Sequence, residues 1–219
     1  MWTSEVNTMI INGIGETLYM TLLSTAIGYL FGLPLGIWLA VTDKDGLIPN
    51  KGVYKILDIV VNVVRSIPFL ILLILISPLT RFLIGKSTGS TATIVPLVVA
   101  AIPFIARLVE SSIKEVDFGV IEAAKSMGAG NPRIIIKVLL VESRTSIVTG
   151  ITIACGTILG YSAMAGIVGG GGLGDIAVRY GYYRYQSDIM IVTVVLLIIL
   201  VQIFQSAGTF TASKIDKRK

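Results

Sequence analysis

Long runs of residues without a charged side chain constrain this chain more than any other feature of its sequence. Four of them lie at residues 17–42, 87–106, 145–174 and 189–213 and consist mainly of Leu, Ile, Val, Ala and Gly. Because a helix of about 20 apolar residues crosses the bilayer core, each run can span a membrane. Only 14% of the 219 residues are charged, against about 25% in soluble domains. The sequence therefore predicts an all-α polytopic membrane protein.

A fifth span requires that charges be tolerated within an apolar segment. Residues 66–80 are too short alone, but they reach spanning length when joined to the preceding YKILDIVVNVVR, which contains Asp58 and Arg65. We predict five helical spans, at about residues 17–42, 57–80, 88–107, 145–169 and 189–212, within one transmembrane domain, 1–219. The N-terminus lacks the pattern of a removable signal peptide, so we expect the first span to be retained.

Lys and Arg residues are distributed unevenly between the predicted loops. If the loop after the first span is cytoplasmic, thirteen of the 18 Lys and Arg residues lie inside and four lie outside, with Arg65 within a span. Positively charged loops are retained in the cytoplasm, so we predict an external N-terminus and an internal C-terminus. The net charge of +5 is then a consequence of topology, and no nucleic-acid partner is expected.

Residue types that are missing from the chain exclude several chemistries. There is no His, and the single Cys, Cys155, lies in the fourth predicted span. A Ser/His dyad, a His-ligated metal and an internal disulfide are therefore impossible, and we expect no catalytic residue and no metal site. Two glycine motifs, IGKST and GGGGLG, lack the strand context of nucleotide sites. We interpret residues 169–174 as a helix end and a loop that permits close backbone approach.

The polar connection between the third and fourth spans has the pattern of a helix, a glycine turn and a second helix. Asp117 is a suitable N-cap for a helix over residues 118–127, and Gly128 suits the turn that ends it. Asn131 as N-cap, followed by Pro132, starts the next helix. This short helix either lies flat on the membrane surface or docks in a groove of a partner protein.

Small side chains favour docking over surface binding. Ala123 and Ala124 allow close approach of a partner, and Val120, Ala124 and Met127 share one face of the predicted helix. We therefore expect the helix to enter a groove on another protein, with Val120 and Met127 as its anchors.

The stretch EAAKSMG resembles the EAA loop of ABC importer permeases. Glu122, Ala123, Ala124 and Gly128 match the pattern of that loop, whereas Val141 stands where the family has a proline. Further resemblance to the methionine-importer permeases covers most of the chain, through VRSIPF, VPLVVAAIPFIARLVE and GYSAMAGIVGGGGLGDIAVRYGY.

This resemblance implies a type I ABC importer permease fold, a bacterial inner-membrane location and a transport function without enzymatic activity. The chain is expected to pair with a second copy, two ABC ATPase subunits that bind ATP and Mg, and a substrate-binding lipoprotein that delivers an amino acid, methionine above all. The loop at residues 117–141 is then a cytoplasmic coupling helix, with its ATPase contacts at Glu122, Ala123, Ala124, Met127 and Gly128.

Five residues within the spans are candidates for the translocation pathway or its gate, namely Arg65, Pro68, Tyr161, Ser162 and Met164. A charge in lipid needs compensation, so Arg65 either reaches the interface, pairs with Asp58 or acts in gating. Pro68 favours a kink beside it. The three residues of the fourth span line the pathway or belong to a packed interface, since small residues there also permit close helix packing.

Other function classes are weaker but stay open at the level of sequence. The alternatives are a permease for another amino acid or related small molecule, an ion-coupled secondary transporter and an intramembrane enzyme. A secondary transporter usually has repeated halves and acidic residues within the membrane. We find no repeat, and Asp58 and Glu110 fall near the cytoplasmic ends of predicted spans.

Overall fold

The computed structural model describes residues 4–216, and every regular element among them is helical. The first half contains α1 to α5, with bounds Ser4–Thr42, Lys51–Ser66, Phe69–Leu75, Ser77–Ile84 and Ser90–Lys114. Next come α6 (Phe118–Ser126), α7 (Asn131–Ile134), a π-helical turn (Ile135–Leu139) and α8 (Leu140–Glu142). The last part contains α9 (Arg144–Ala165), a 3-10 turn (Gly166–Val168), α10 (Gly172–Ile176), a second π-helical turn (Ala177–Tyr182) and α11 (Ser187–Ile215).

Four segments are long and apolar enough to cross a membrane: α1, α5, the segment from α9 to Tyr182, and α11. The pair formed by α2 and α3 passes the same criterion only when the two helices are combined. The described residues thus contain the four strong spans of the sequence and a broken fifth. Residues 217–219, part of the basic C-terminus that we assigned to the inside, lie outside the described range.

The second predicted span, 57–80, is wrong as a single helix, because the chain bends by 99° between α2 and α3. Pro68 has no backbone N–H, and its ring restricts the preceding residue to extended conformations. Ile67 accordingly has φ −80° and ψ 122°. The kink expected at Pro68 is therefore a complete break. By contrast, Pro96 and Pro103 lie inside α5 without interrupting it.

The core of the protomer forms where α1 packs on α5. A methyl group added at Gly28, Gly32 or Gly36 would overlap side chains of α5, including Ala101 and Ile105. Small residues at four-residue intervals allow this close approach in lipid, where packing contacts replace the hydrophobic driving force. At the other extreme, α11 exposes most of its apolar side chains, so it forms the lipid-facing edge of the protomer.

The first helix is longer than the apolar run that identified it. It begins at Ser4, well before the predicted start at residue 17, and contains 39 residues. At about 1.5 Å per residue, such a helix is nearly twice as long as the ~30 Å hydrocarbon core. The part before Thr17, which includes Glu5 and Glu16, therefore extends beyond the apolar layer.

Candidate functional site

The short helix predicted between the third and fourth spans is present as α6. Its N-cap is Asp117, whose carboxylate accepts a 2.7 Å hydrogen bond from the backbone N–H of Gly119. At the other end Gly128 has φ +79°, and its N–H donates to the Lys125 carbonyl. The helix therefore starts and ends as the sequence predicts, because Asp caps free N–H groups at the N-terminus and Gly adopts the left-handed conformation after the C-terminus.

The outward face of α6 differs from the predicted face by one residue. Ala124 is only 5% exposed and packs within the protomer core, so its side chain points away from the exposed face of α6. Val120 and Met127 are exposed, Met127 by 81%, and Ala123 is exposed between them. Spacings of three and four residues place these three side chains on one helix face. Residue spacing alone could not tell which alanine faces inward, because Ala123 and Ala124 both lie three or four residues from Val120 and Met127.

Glu122 is exposed beside that stripe, and Gly128 lies at its end with open space around it. The five predicted coupling residues are therefore gathered in one turn-helix unit, with Ala124 alone on its inner side. An exposed apolar stripe on a short helix, bounded by charged residues, fits a hydrophobic groove on a partner.

The connection from α6 to α9 consists of short helical elements, and Val141 stands in it where the family pattern has a proline. Helix α7 begins at Asn131 with Gly130 as its N-cap, one residue earlier than predicted. The chain then passes through the π-helical turn and reaches Ser143, which is buried. The Ser143 hydroxyl donates a 2.6 Å hydrogen bond to the Leu139 carbonyl. A π-helical turn and a serine back-bond are both known causes of helix bending.

A cluster of charged side chains joins α1, α2 and α5 where these helices approach the coupling segment. Arg107 contacts the carboxylates of Asp58 and Glu110, and Lys114 lies 2.8 Å from Glu110 and 2.7 Å from Asp43. The hydrogen bond from Lys114 holds the pKa of Asp43 below its usual value. Buried Glu110 is thus compensated by two cations. Among the described residues, no three His, Cys, Asp or Glu side chains are placed to hold a metal.

Arg65 does not pair with Asp58, so this predicted interaction is wrong. Arg107 from α5 occupies the Asp58 carboxylate, which also accepts a hydrogen bond from Asn62. Arg65 itself is exposed near the end of α2, three residues before Pro68, which is also exposed. Residue spacing along α2 could not predict this pairing, because the cation that contacts Asp58 is Arg107 of α5, which is distant in sequence.

The candidate pathway residues of α9 separate into two groups. Ser162 is 1% exposed, and its hydroxyl donates to the Leu159 carbonyl, so its side chain is buried within the protomer. Tyr161 is half-buried and stacks on Phe69, the residue after Pro68, with ring centroids 4.6 Å apart. Met164 is 48% exposed. The structure therefore brings the break at Pro68 into contact with the fourth span.

One face of α9 has open space beside it within the described protomer. A methyl group added at Gly156 or Gly160 would have no neighbouring atom of the described protomer within 4 Å. Met164 follows four residues after Gly160. Positions four residues apart share a helix face. This open face is available to a second copy of the chain, to substrate or to both.

The glycine-rich stretch after α9 forms a latch, which we define as residues 169–174 together with Glu16 and Thr17. The backbone N–H of Gly172 donates to Glu16 at 2.6 Å, and that of Leu173 donates to the Thr17 hydroxyl at 2.9 Å. Gly171 and Gly172 have positive φ values, which favour glycine. The loop was predicted, but Glu16 and Thr17 were missed because a single acid at the start of an apolar run has no recognisable spacing.

Comparison with known proteins gives consistent matches along nearly the whole chain. Residues 32–216 match the family model of the binding-protein-dependent transport system inner membrane component. The chain is 48% identical over 217 residues to the probable D-methionine transport system permease protein MetI of Vibrio cholerae, covering 99% of this chain and 96% of that one. It is 46% identical to the methionine import system permease protein MetP of Bacillus subtilis, covering 94% and 93%.

The fold also matches a solved structure. A chain in the inward-facing MetNI methionine ABC transporter superposes with a TM-score of 0.97 at 43% identity, and the match covers 99% of this chain and 100% of that chain. An amino acid ABC transporter structure has a TM-score of 0.80 at 21% identity, which supports the fold alone.

Proposed function

This chain belongs to the family of binding-protein-dependent transport system inner membrane components, and from that premise we propose that it is the permease of an ATP-driven methionine importer. Its fold is that of a type I ABC importer permease, and its location is the bacterial inner membrane. The observation that carries the proposal is the exposed apolar stripe of Val120, Ala123 and Met127 on α6. The relatives named as methionine permeases support the choice of substrate.

In this proposal α6 is the coupling helix, and ATP hydrolysis takes place on a separate ATPase chain that holds ATP and Mg. The stripe on α6 enters a groove of the ATPase, and Glu122 lies at its edge. Ala124 attaches the helix to the pore instead of contacting the ATPase, because it is buried within the permease. A change in the ATPase groove therefore moves α6, and the connection through Ser143 carries this displacement to α9.

The translocation pathway runs between two copies of the chain, with one ATPase on each copy. The open face of α9 at Gly156, Gly160 and Met164 is the surface that favours this pairing, because small residues permit close helix approach. Met164 and Tyr161 line the pathway, and Arg65 and Pro68 gate it at the break between α2 and α3. The N-terminus lies outside, where a substrate-binding lipoprotein delivers methionine.

Uptake into proteoliposomes tests the proposal. The permease, its ATPase and the methionine-loaded binding protein are reconstituted, and radiolabelled methionine uptake is measured with ATP inside. We expect uptake to stop when the ATPase carries a hydrolysis-blocking substitution, whereas an ion-coupled carrier would continue. The ligand that co-purifies with the cognate binding protein tests the substrate separately. A different amino acid there would overturn the methionine assignment but leave the permease assignment intact.

A further inference from the structure

A groove of about 550 Å³ opens between the N-terminal part of α1 and the segment that follows the latch. Glu5, Thr8 and Asn12 line it from α1, and Asp175 and Arg179 line it from the opposite side. Its volume lies within the range of about 300–1,000 Å³ that is typical of binding clefts. None of these residues belongs to the coupling surface or to the pathway described above.

The position of the groove determines which class of partner can reach it. All the α1 residues that line it precede Thr17, where the apolar run begins, and so lie beyond the hydrocarbon layer. In the proposed orientation this end of α1 is external. The occupant is therefore an extracytoplasmic, water-soluble molecule, since the ATPase and the cytoplasm are on the other side of the membrane.

The chemistry of the groove favours a basic, hydrogen-bonding occupant. Glu5, Glu16 and Asp175 supply three carboxylates, whereas Arg179 supplies one cation, which lies 2.8 Å from Asp175. Glu5 forms no ion pair with another residue of 4–216. Asn12 adds an exposed amide that can both donate and accept. A surface loop of a protein that carries Lys or Arg complements this arrangement in charge and in hydrogen bonding.

The groove is also connected to the pathway helix. Its floor includes Gly172, whose N–H is held by Glu16, and Glu16 itself lines the groove. Residues 169–172 lead directly back to α9, so an occupant that contacts Glu16 contacts the segment that closes the outer end of that helix. Because the latch is bonded to Glu16 and leads back to α9, binding in the groove can act on the outer end of α9 through the latch as a rigid connection.

We propose that this groove is the docking site on the permease for a basic loop of the substrate-binding protein, and that docking acts on the pathway through Glu16 and the latch. The inference rests on the proposed function, which supplies both the orientation of the chain and the existence of this partner. It adds to that function a defined surface and the charge of its partner.

A matched pair of asparagines tests the docking site. Asn12→Trp places a large side chain in the groove, and Asn7→Trp places the same side chain on an exposed position of α1 that does not line it. The assembled transporter in nanodiscs is titrated with methionine-loaded binding protein, and affinity and stimulated ATP hydrolysis are measured. We expect Asn12→Trp to weaken binding by about tenfold or more, which corresponds to loss of a central contact. Asn7→Trp should bind as the wild type does.

Charge reversal provides a second variant that does not depend on steric blocking. Glu5→Lys should weaken binding by roughly fivefold at low salt, with a smaller effect at high salt, because exposed charges are screened. Wild-type affinity in both Asn12→Trp and Glu5→Lys would overturn the docking site and leave the permease function standing. Dissociation of the permease dimer by Asn12→Trp would overturn it too, since the groove would then be covered by the second copy. A wild-type transporter that binds no binding protein would overturn the proposed function together with the docking site.

Discussion

The coupling helix precedes α9 in the chain and the latch follows it, and the two differ in how firmly they are attached to the rest of the protomer. The latch is fixed by hydrogen bonds from two different helices. Glu16 and Thr17 of α1 hold its N–H groups, and the Thr93 hydroxyl of α5 donates to the Gly170 carbonyl at 3.1 Å. Gly170 and Gly174 also lie so close to the backbone of Ala165 and Ala163 that an added methyl group would overlap it.

The coupling helix has few such restraints. Helix α6 has nine residues, and Ala124 is its one fully buried side chain. Phe118 and Met127, near its two ends, are mostly exposed. Elements with few buried contacts open and move at low cost in free energy, whereas tightly packed elements do not. The comparison indicates that α6 can move relative to the rest of the protomer at low cost in free energy, whereas the latch is held in place by its contacts.

The largest effect is expected from adding one methyl group to the latch. In Gly174→Ala the new methyl would overlap the carbonyl of Ala163, which is backbone and cannot rotate away. Overpacking of this kind costs about 3 kcal/mol or more. We expect a lower thermal unfolding midpoint of the purified permease and a lower yield of assembled transporter.

Gly15→Ala is the matched control, because a methyl group at Gly15 of α1 meets no atom of the described chain within 4 Å. It should leave the unfolding midpoint and the yield unchanged or slightly higher, since Ala favours helix more than Gly does by about 1 kcal/mol. Equal midpoints for Gly174→Ala and the wild type would show that the latch is not rigid.

Two adjacent alanines of the coupling helix, one exposed and one buried, allow its outward and inward faces to be tested separately. Ala123→Trp enlarges the outward face, so we expect the permease to fold normally but to lose the co-purified ATPase. Ala124→Trp enlarges the inward face and should lower the stability of the permease itself by roughly 1–3 kcal/mol, as overpacking does. Pull-down of the ATPase and thermal unfolding of the isolated permease distinguish the two losses. Normal ATPase binding by Ala123→Trp would contradict the proposed docking face.

The sequence predicts the elements that depend on local chemistry. The four long apolar runs, the Asp117 cap and the Gly128 turn are all found, because each follows from side chains within a few residues of one another. The bend at Pro68 was also expected, although its size was not. A missing N–H predicts a distortion, but the angle depends on which helices pack on either side.

The contacts that the sequence could not predict join residues distant along the chain. Asp58 pairs with Arg107 instead of Arg65, and Glu16 holds Gly172 across 156 positions of sequence. Ala124 and Ser162 are both buried, and the sequence does not indicate this, since neither α6 nor α9 has one apolar face that alone could be the buried one. In each case tertiary packing determines the contact, because residue spacing along one helix is compatible with more than one partner.

A moderate effect is expected when one hydrogen bond of the latch is removed without a change of shape. Thr17 is buried, and its hydroxyl accepts from the Leu173 N–H. Thr17→Val leaves that N–H without an acceptor, at a cost of about 1–3 kcal/mol. Thr42→Val removes a buried hydroxyl of the same helix that donates only to the Trp38 carbonyl, and it should cost less. Equal unfolding midpoints for the two variants would mean that the Thr17 bond does not stabilise the latch.

The smallest effect is expected from the cap of the coupling helix, and it should appear in coupling more than in stability. Asp117→Ala removes the acceptor for the Gly119 N–H, which costs about 1 kcal/mol of local helix stability. Because α6 has one buried side chain, this loss should fray its first turn and leave the unfolding midpoint of the permease nearly unchanged. Hydrogen exchange of residues 118–121 should become faster, and less methionine should be transported per ATP hydrolysed. Asp117→Asn keeps a good N-cap and should give wild-type values for both measurements. If loss of the carboxylate charge were the cause, the Asp117→Asn variant would show the same defects as Asp117→Ala. A large fall in the midpoint with Asp117→Ala would instead place α6 among the rigid parts of the protomer and remove its contrast with the latch.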